Sequence, residues 1–432
     1  MKTVIEGEEG VEDFLRTLQR RALPSDEVRT VVADLIAAVQ EEGDAALVRL
    51  TERFDGADLS GGLLVSEAEM VAAENEVSGS TREALQASLD NIEAFARESQ
   101  RKDWKRINAQ GAEVGERFVP FERVGCYVPG GKAPLVSTAL MTAGFAKAAG
   151  VPEIVAATPC DAYGKVNSAL LVALKMAGVT EILKVGGAQG VAALALGTDS
   201  VAPVQKIVGP GNAYVVEAKR QLIGAVSIDL LPGPSEIMVL ADDNANPAYV
   251  AADLLGQAEH GPDSVVGLVS PSAEFVRKVE EQVERQAFAL LRGEYLREVL
   301  TKGAFAVVVK DLERGIELVN DFAPEHLSLV VESEEEENCL KEIKTAAAIY
   351  IGSEAAVAVG DFLAGPSHTL PTGGSGKSFS GLRADQFQRR VSLVRMSKEA
   401  VSASLPIVEE FARLEGLDAH GQSVRIRVSE DK

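Results

Sequence analysis

All four histidines of this 432-residue chain lie beyond residue 259, and each stands beside groups that bind metals or move protons. His260 closes the run Gln257-Ala-Glu-His260, and His326 follows Glu325 in Pro324-Glu325-His326-Leu327. His368 comes shortly after Gly360-Asp361, directly behind Ser367, and His420 follows Glu415 and Asp418. Imidazole is the usual neutral metal ligand and the side chain best placed to move protons near pH 7. A lone histidine is most often an ordinary core or surface residue; a full set beside Glu, Asp or Gln reads as working groups.

Two of these places specify a chemistry. Asn246-Pro247 is a helix start, with Asn as the N-cap and Pro in the first turn, and Gly261-Pro262 is a stop. The helix between them ends in Gln257 and His260, three apart and therefore on one face. With Asp361 and His420 they form a set of two nitrogen and two oxygen donors and no thiolate. That set suits zinc in a working site better than in a closed structural one. Glu325-His326 falls between a predicted helix over 312–322 and a strand over 327–331. Standing alone it would be a solvated loop pair; held in a tight connection it is an acid/base pair able to take a hydroxyl proton or activate water.

The elements that must hold these groups follow from hydrophobic periodicity. Helices are predicted over 31–40, 45–54 and 82–97, and residues 104–124 alternate like β-structure. From about residue 150, strands over 153–157, 181–185 and 206–208 alternate with helices over 168–177, 191–196 and 213–222. After 235–240 the rhythm restarts, with strands near 265–269, 304–309, 327–331 and 347–351. Such alternation predicts parallel sheets covered by helices, in two α/β units. The last 50 residues, past Gly381, read as a separate and mostly helical piece.

Composition narrows the class further. The length predicts two or three domains, and 46% hydrophobic with 25% charged residues describes a soluble globular protein. A net charge of −22 with no basic cluster argues against nucleic acid or an anionic membrane as partner. No apolar run approaches the length of a membrane span, and the opening residues lack a signal-peptide pattern. Three scattered cysteines, Cys126, Cys160 and Cys339, form no CxxC pair and point to a reducing, cytoplasmic setting. Cys126, beside a glycine-rich turn, reads as a small buried residue rather than a nucleophile. The acidic run 332–337 reads as a solvated helix start.

Four glycine-rich turns follow strand-like runs: Tyr127-Val-Pro-Gly-Gly131, Gly186-Gly-Ala-Gln189, Gly209-Pro-Gly-Asn212 and Gly233-Pro-Ser-Glu236. Glycine lets backbone N–H groups approach a phosphate. None of the turns matches the GxGxxG dinucleotide fingerprint, and there is no GxxxxGK[ST] loop.

In this order, and with the histidine segments, the turns resemble the histidinol dehydrogenase family, NAD-dependent enzymes that complete histidine biosynthesis. The resemblance runs from GDAALVRLTERFDG (43–56) to the end of the chain. Its most specific stretches are GCYVPGGKAPLVSTALM (125–141), VGGAQGVAALALGT (185–198), KIVGPGNAYVVEAKR (206–220), LLPGPSEIMVLAD (230–242), GQAEHGPDS (256–264), APEHL (323–327) and GPSHTLPT (365–372).

The resemblance implies one Zn2+ per subunit on Gln257, His260, Asp361 and His420, and an acid/base pair in Glu325 and His326. It implies that L-histidinol is bound by these groups together with Ser235, His368 and Glu415, and NAD by Tyr127, Gln189 and Asn212. The implied fold has two incomplete Rossmann-like parallel-sheet domains plus small helical N- and C-terminal segments. An N-terminal segment covers 1–23; residues 24–126 with 237–380 form the domain of the metal and acid/base residues; 127–236 form the domain of the NAD turns. A helical segment over 381–432 is exchanged within a homodimer, so that the active sites are shared.

Two features depart from the family pattern: Ser367 stands where Asn is usual, and Gly373-Gly-Ser-Gly376 replaces a stretch that commonly ends in Arg. Relatives of the family oxidise other polar alcohols, including sulfonated diols. Glu415 favours a cationic amino alcohol, because an anion beside it would be repelled. A zinc hydrolase and a two-lobed binding protein without catalysis are the rival readings; a hydrolase would have no use for the glycine turns.

Overall fold

The computed structural model describes residues 1–7, 14, 17, 24–130, 134–290 and 293–429. Most of the expected N-terminal segment 1–23, and Gly131 of the first glycine turn, lie outside the described residues.

Strand β1 (Lys2–Ile5) opens the chain, followed by helices Asp26–Glu42, Asp44–Asp55, Glu67–Glu76 and Gly79–Glu98, then strands β2 (Trp104–Ile107) and β3 (Glu113–Pro120). Strands β4 (Arg123–Tyr127), β5 (Glu153–Ala157), β6 (Glu181–Leu183), β7 (Lys206–Val208) and β8 (Ser227–Ile228) alternate with helices Val136–Ala148, Ser168–Met176, Gly187–Leu196 and Ala213–Gln221. The rhythm repeats through β9 (Glu236–Ala241), β10 (Val265–Ser270), β11 (Ala304–Val308), β12 (His326–Val330) and β13 (Ala348–Ile351). Strand β14 (Gln388–Arg395) precedes a C-terminal hairpin of helices Lys398–Glu415 and Asp418–Ser429.

Two parallel sheets result. In the five-stranded sheet the order is β6-β5-β4-β7-β8, so the chain steps outward from β4 to β6 and then returns to β7. The six-stranded sheet, β1-β11-β10-β9-β12-β13, reverses in the same way between β9 and β12, with β1 added at its edge. These are the two incomplete Rossmann-like units that the sequence suggests. In such sheets the reversal opens a crevice at the strands' carboxyl ends, where ligands bind.

Strands β9 to β12 are buried at every residue, which explains their nearly continuous apolar sequences. Ile237 and Val239 pack with Val250, Leu254 and Val276 on one face. Met238 and Leu240 pack with Ile316, Val319 and Phe322 on the other. Besides the small Ser270 and Ser328, the polar exceptions are Glu236 and His326, which begin β9 and β12.

One expectation differs from the structure, and a second is incomplete. Residues 24–126 were grouped with 237–380, yet Val32, Leu47 and Leu89 share a core with Val124, Phe145 and Leu194 of the five-stranded unit. The apolar stripes of these amphipathic helices lie on that unit's own helices, and β4 is its central strand. The piece past Gly381 is mostly helical as expected, but between a short helical turn (Ala384–Phe387) and the hairpin it also contributes β14, which pairs antiparallel with β3 along its whole length. Its alternate residues Val391 and Leu393 are half-buried, and the pairing covers an edge of β3 that would otherwise be open.

Candidate active site

Helix Leu312–Phe322 ends at Ala323, the only non-glycine among the described residues with positive φ (55°), whose N–H bonds the Val319 carbonyl. Pro324 bars any further helical turn. The chain is thereby turned back so that Glu325 and His326 reach the sheet edge. His326 is the first residue of β12, in register with Ile237 and Ala348 of the flanking strands. The pair is not a solvated loop: Glu325 is 7% exposed and His326 2%.

His326 Nδ1 donates to the Glu236 carbonyl at 3.0 Å, and its Nε2 faces Asp361 Oδ1 at 3.2 Å. Glu325 Oε2 accepts the Glu236 N–H at 2.8 Å and lies 3.5 Å from His326 Nδ1. The Gln257 amide group is 3.4 Å from the same ring nitrogen. Burial alone would lower the His326 pKa; the carboxylates of Glu325 and Asp361 outweigh it and hold the ring well above its ordinary value. Asp361 is pushed up by burial, but the His326 hydrogen bond and the charges of His326, His368 and His260 leave it below its ordinary value. Asp361 sits in a wide π-type turn, Gly360–Ala364, a distortion frequent at functional sites.

His368 stands alongside. Its Nδ1 donates to the Asp361 carbonyl at 3.0 Å, and its Nε2 accepts the Thr138 hydroxyl at 3.0 Å. Burial pushes its pKa below the ordinary value, against the opposing pull of Asp361.

The structure thus brings together Gln257, Glu325, His326, Asp361 and His368. His260 is exposed just past the end of helix Pro247–Ala258, and its charge acts on Asp361. Ser235 is half-buried just before β9. Glu415 and His420 are exposed on the C-terminal hairpin, and among the described residues no polar contact joins either to this cluster. Within the one chain, no described group of three or more His, Cys, Asp or Glu closes around a metal position. The donors of Gln257, His260 and Asp361 suit zinc in type and leave the set one ligand short.

Sequence reasoning did not single out Glu236, Thr138 or Tyr350. Tyr350 donates to Asp361 Oδ1 at 3.4 Å, and its ring lines an apolar cavity of about 470 Å³ with Phe95, Val359 and Leu370. Thr138 and Glu236 lie within family motifs, Glu236 directly after Ser235; Tyr350, in an ordinary strand, carries no such signal.

Three of the four glycine turns fall on the other sheet, while Gly233-Pro-Ser-Glu236 leads directly into β9. Tyr127 ends β4 and Gly209–Asn212 follows β7, so the two flank the reversal point. The Tyr127 ring is buried, and its hydroxyl accepts the Gly187 N–H at 2.9 Å; burial pushes its pKa up to about 12. Gln189 is buried in the first turn of helix Gly187–Leu196. Asn212 caps helix Ala213–Gln221, accepting from the N–H groups of Tyr214 and Val215.

These three turns sit at carboxyl ends of the five-stranded sheet, whereas the His326 cluster sits at amino ends of the six-stranded sheet. Residues 229–235 cross from one edge to the other, and the Thr138–His368 bond spans the same gap. The two departures from the family pattern are fastened locally. Ser367 Oγ accepts the Thr369 N–H at 3.1 Å, and the Gly373 N–H donates to Glu236 Oε1 at 3.0 Å.

A buried Glu-His pair at the amino ends of one parallel sheet and glycine turns at the carboxyl ends of another thus make up an α/β protein of two Rossmann-like units. The histidinol dehydrogenase family model matches residues 18–428. Histidinol dehydrogenase of Moorella thermoacetica is 44% identical over 428 residues, covering 99% of this chain and 100% of the relative. That of Syntrophotalea carbinolica is 43% identical over 412 residues, covering 95% of each. A crystal structure of histidinol dehydrogenase from Elizabethkingia anophelis superposes with a TM-score of 0.94 at 34% identity, covering 99% of this chain and 98% of that one. The chain belongs to the histidinol dehydrogenase family, which decides against the hydrolase and the non-catalytic binding protein. Among the described residues, no helix is long and apolar enough to cross a membrane.

Proposed function

We propose that this chain carries out the last step of histidine biosynthesis, oxidising L-histidinol to L-histidine through a bound histidinaldehyde with NAD as hydride acceptor. The observation that carries the reading is the His326–Glu325–Asp361 cluster, buried and set opposite the glycine turns at the reversal point. Because Nδ1 of His326 is held by the Glu236 carbonyl, Nε2 is the nitrogen that exchanges protons with the substrate; once the ring has given up its own Nε2 proton, it takes the hydroxyl proton as the alcohol loses hydride. Glu325 then takes a proton from the water that adds to the aldehyde, and loss of a second hydride leaves the carboxylate. Keeping the aldehyde enclosed avoids release of a reactive intermediate.

Gln257, His260 and Asp361, with His420 brought by the second chain of a homodimer, would hold one Zn2+ per subunit. When bound, the metal supplies a template for the substrate's imidazole and amine nitrogens. Ser235, His368 and Glu415 hold the substrate's remaining polar groups, and Tyr127, Gln189 and Asn212 belong to the NAD site. Ser367 Oγ accepts the Thr369 N–H and keeps its own O–H as a donor at the cavity beside Tyr350, so the substrate panel below tests its effect directly. The three cysteines are buried and unpaired, which fits a cytoplasmic enzyme.

The test is NADH absorbance with histidinol, simpler amino alcohols and sulfonated diols. Turnover confined to histidinol is expected; faster turnover of a sulfonated diol would overturn the substrate assignment. Chelation should abolish oxidation while NAD binding, read by calorimetry, survives. Full-rate oxidation by metal-free protein would contradict the template role.

A further inference from the structure

One buried ion pair has no part in this chemistry. Lys219 and Asp229 bond to each other with both side chains fully buried. Lys219 Nζ donates to the Gly209 carbonyl at 2.9 Å, and Asp229 Oδ2 accepts the Gly209 N–H at 2.7 Å. Asp229 Oδ1 also accepts the Leu230 N–H at 2.6 Å. The pair therefore grips both backbone groups of one glycine. Gly209 has φ +117°, and a Cβ there would collide with the Tyr127 carbonyl oxygen, so no side chain can fix this turn.

The location is informative. Gly209 opens the turn after β7, beside the end of β4, at the reversal point of the five-stranded sheet. Lys219 lies on the helix that this turn begins. Asp229 opens the crossover 229–235, which leads to Glu236, the residue whose backbone holds both Glu325 and His326. An apolar pair of similar volume is commonly as stable as a buried ion pair, so stability alone does not account for it. What the charges add is two-sided, directional anchoring of a turn that lacks its own.

We infer that Lys219 and Asp229 are positioning residues that set the 209–212 turn against the crossover, and so fix the NAD site relative to the acid/base pair. The inference rests on the proposed NAD reading of that turn. It makes the pair a determinant of cofactor affinity rather than of substrate affinity.

The test is Lys219→Met/Asp229→Asn in the zinc-loaded enzyme, which removes both charges together and leaves neither unpaired. The NAD dissociation constant and KM for NAD should rise about tenfold, with KM for histidinol and bound zinc changing less than about twofold. A merely structural role would not split the two KM values. Asn212→Ala is the companion measurement. If it weakens NAD binding and the folded double variant does not, the positioning role is overturned. If neither changes NAD affinity, the cofactor reading of the turn falls as well. Should the double variant not fold, Asp229→Asn alone is read in the same way; failure of both to fold would assign the pair to stability and overturn the inference.

Discussion

At the residue scale, the division of labour proposed for Glu325 and His326 rests on which atoms are already engaged. The Glu236 carbonyl occupies Nδ1 of the ring, and the Glu236 N–H occupies one oxygen of the carboxylate. His326→Asn is therefore expected to impair oxidation of the alcohol, and Glu325→Gln to impair oxidation of the aldehyde more than of the alcohol. Each loss should be about 10²–10⁴-fold, typical of removing acid or base assistance. Single-turnover rates with histidinol and histidinaldehyde separate the two, and equal losses in both variants would contradict the assignment.

Asp253, one helical turn before Gln257, gives a pH-dependent prediction. Burial pushes its pKa up to about 6, against hydrogen bonds from the Val357 N–H and the Ser328 hydroxyl. A carboxyl raised in the folded state favours folding below its unfolded value of 3.8 and loses that contribution as pH climbs through about 6. Asp253→Asn should thus stabilise the protein by about 1–2 kcal/mol at pH 8, a figure discounted for partial exposure, with the gain vanishing near pH 4. Urea unfolding at the two pH values measures this; an equal effect at both would refute it. The histidines and their acidic neighbours were legible because each lies in one short contiguous motif. Tyr350 was not, because its bond to Asp361 comes from packing between segments that only the fold brings together.

At the element scale, the helix carrying Gln257 was readable from both ends. Asn246 caps it through a bond from the Ala248 N–H, Pro247 occupies its first turn, and Gln257 lies in its last turn. Asn246→Ala should cost about 1 kcal/mol of stability, read by urea unfolding, and leave kcat at saturating zinc within about twofold. A large fall in kcat would show that the cap also aims Gln257. The buried strands were legible as apolar runs because parallel strands covered on both faces need no polar alternation. Strand β14 was missed because its partner β3 is remote in sequence, and only that pairing makes QRRVSLVR a strand. The placement of the helices in 26–98 was missed for a related reason. An apolar stripe says that a face is covered, and not by which sheet.

At the scale of the whole molecule, the alternation of strands and helices announced two units, but not that opposite edges of their sheets would face each other. The crossover 229–235 joins those two edges, and the Thr138–His368 bond ties the units together beside it. The proposed sharing of sites between two chains belongs to this scale too. The C-terminal hairpin leaves Ile407, Phe411, Leu414 and Ile426 exposed beside Glu415 and His420, an apolar surface of the kind that marks an interface. A twofold dimer with exchanged tails would complete two identical sites. Mixing Asp361→Ala chains with His420→Ala chains should then restore about a quarter of wild-type activity, since roughly half the dimers are mixed and each mixed dimer has one intact site. Verified mixed dimers that stay inactive would place His420 within its own chain.

The most direct test of the central claim is the stoichiometry of a complete reaction with limiting histidinol. The account predicts about two NADH formed for each histidinol consumed, with histidine as the product and no free aldehyde, as expected for two hydride removals within one enclosed site. A single NADH with aldehyde released, or consumption of histidinol without NADH, would contradict it.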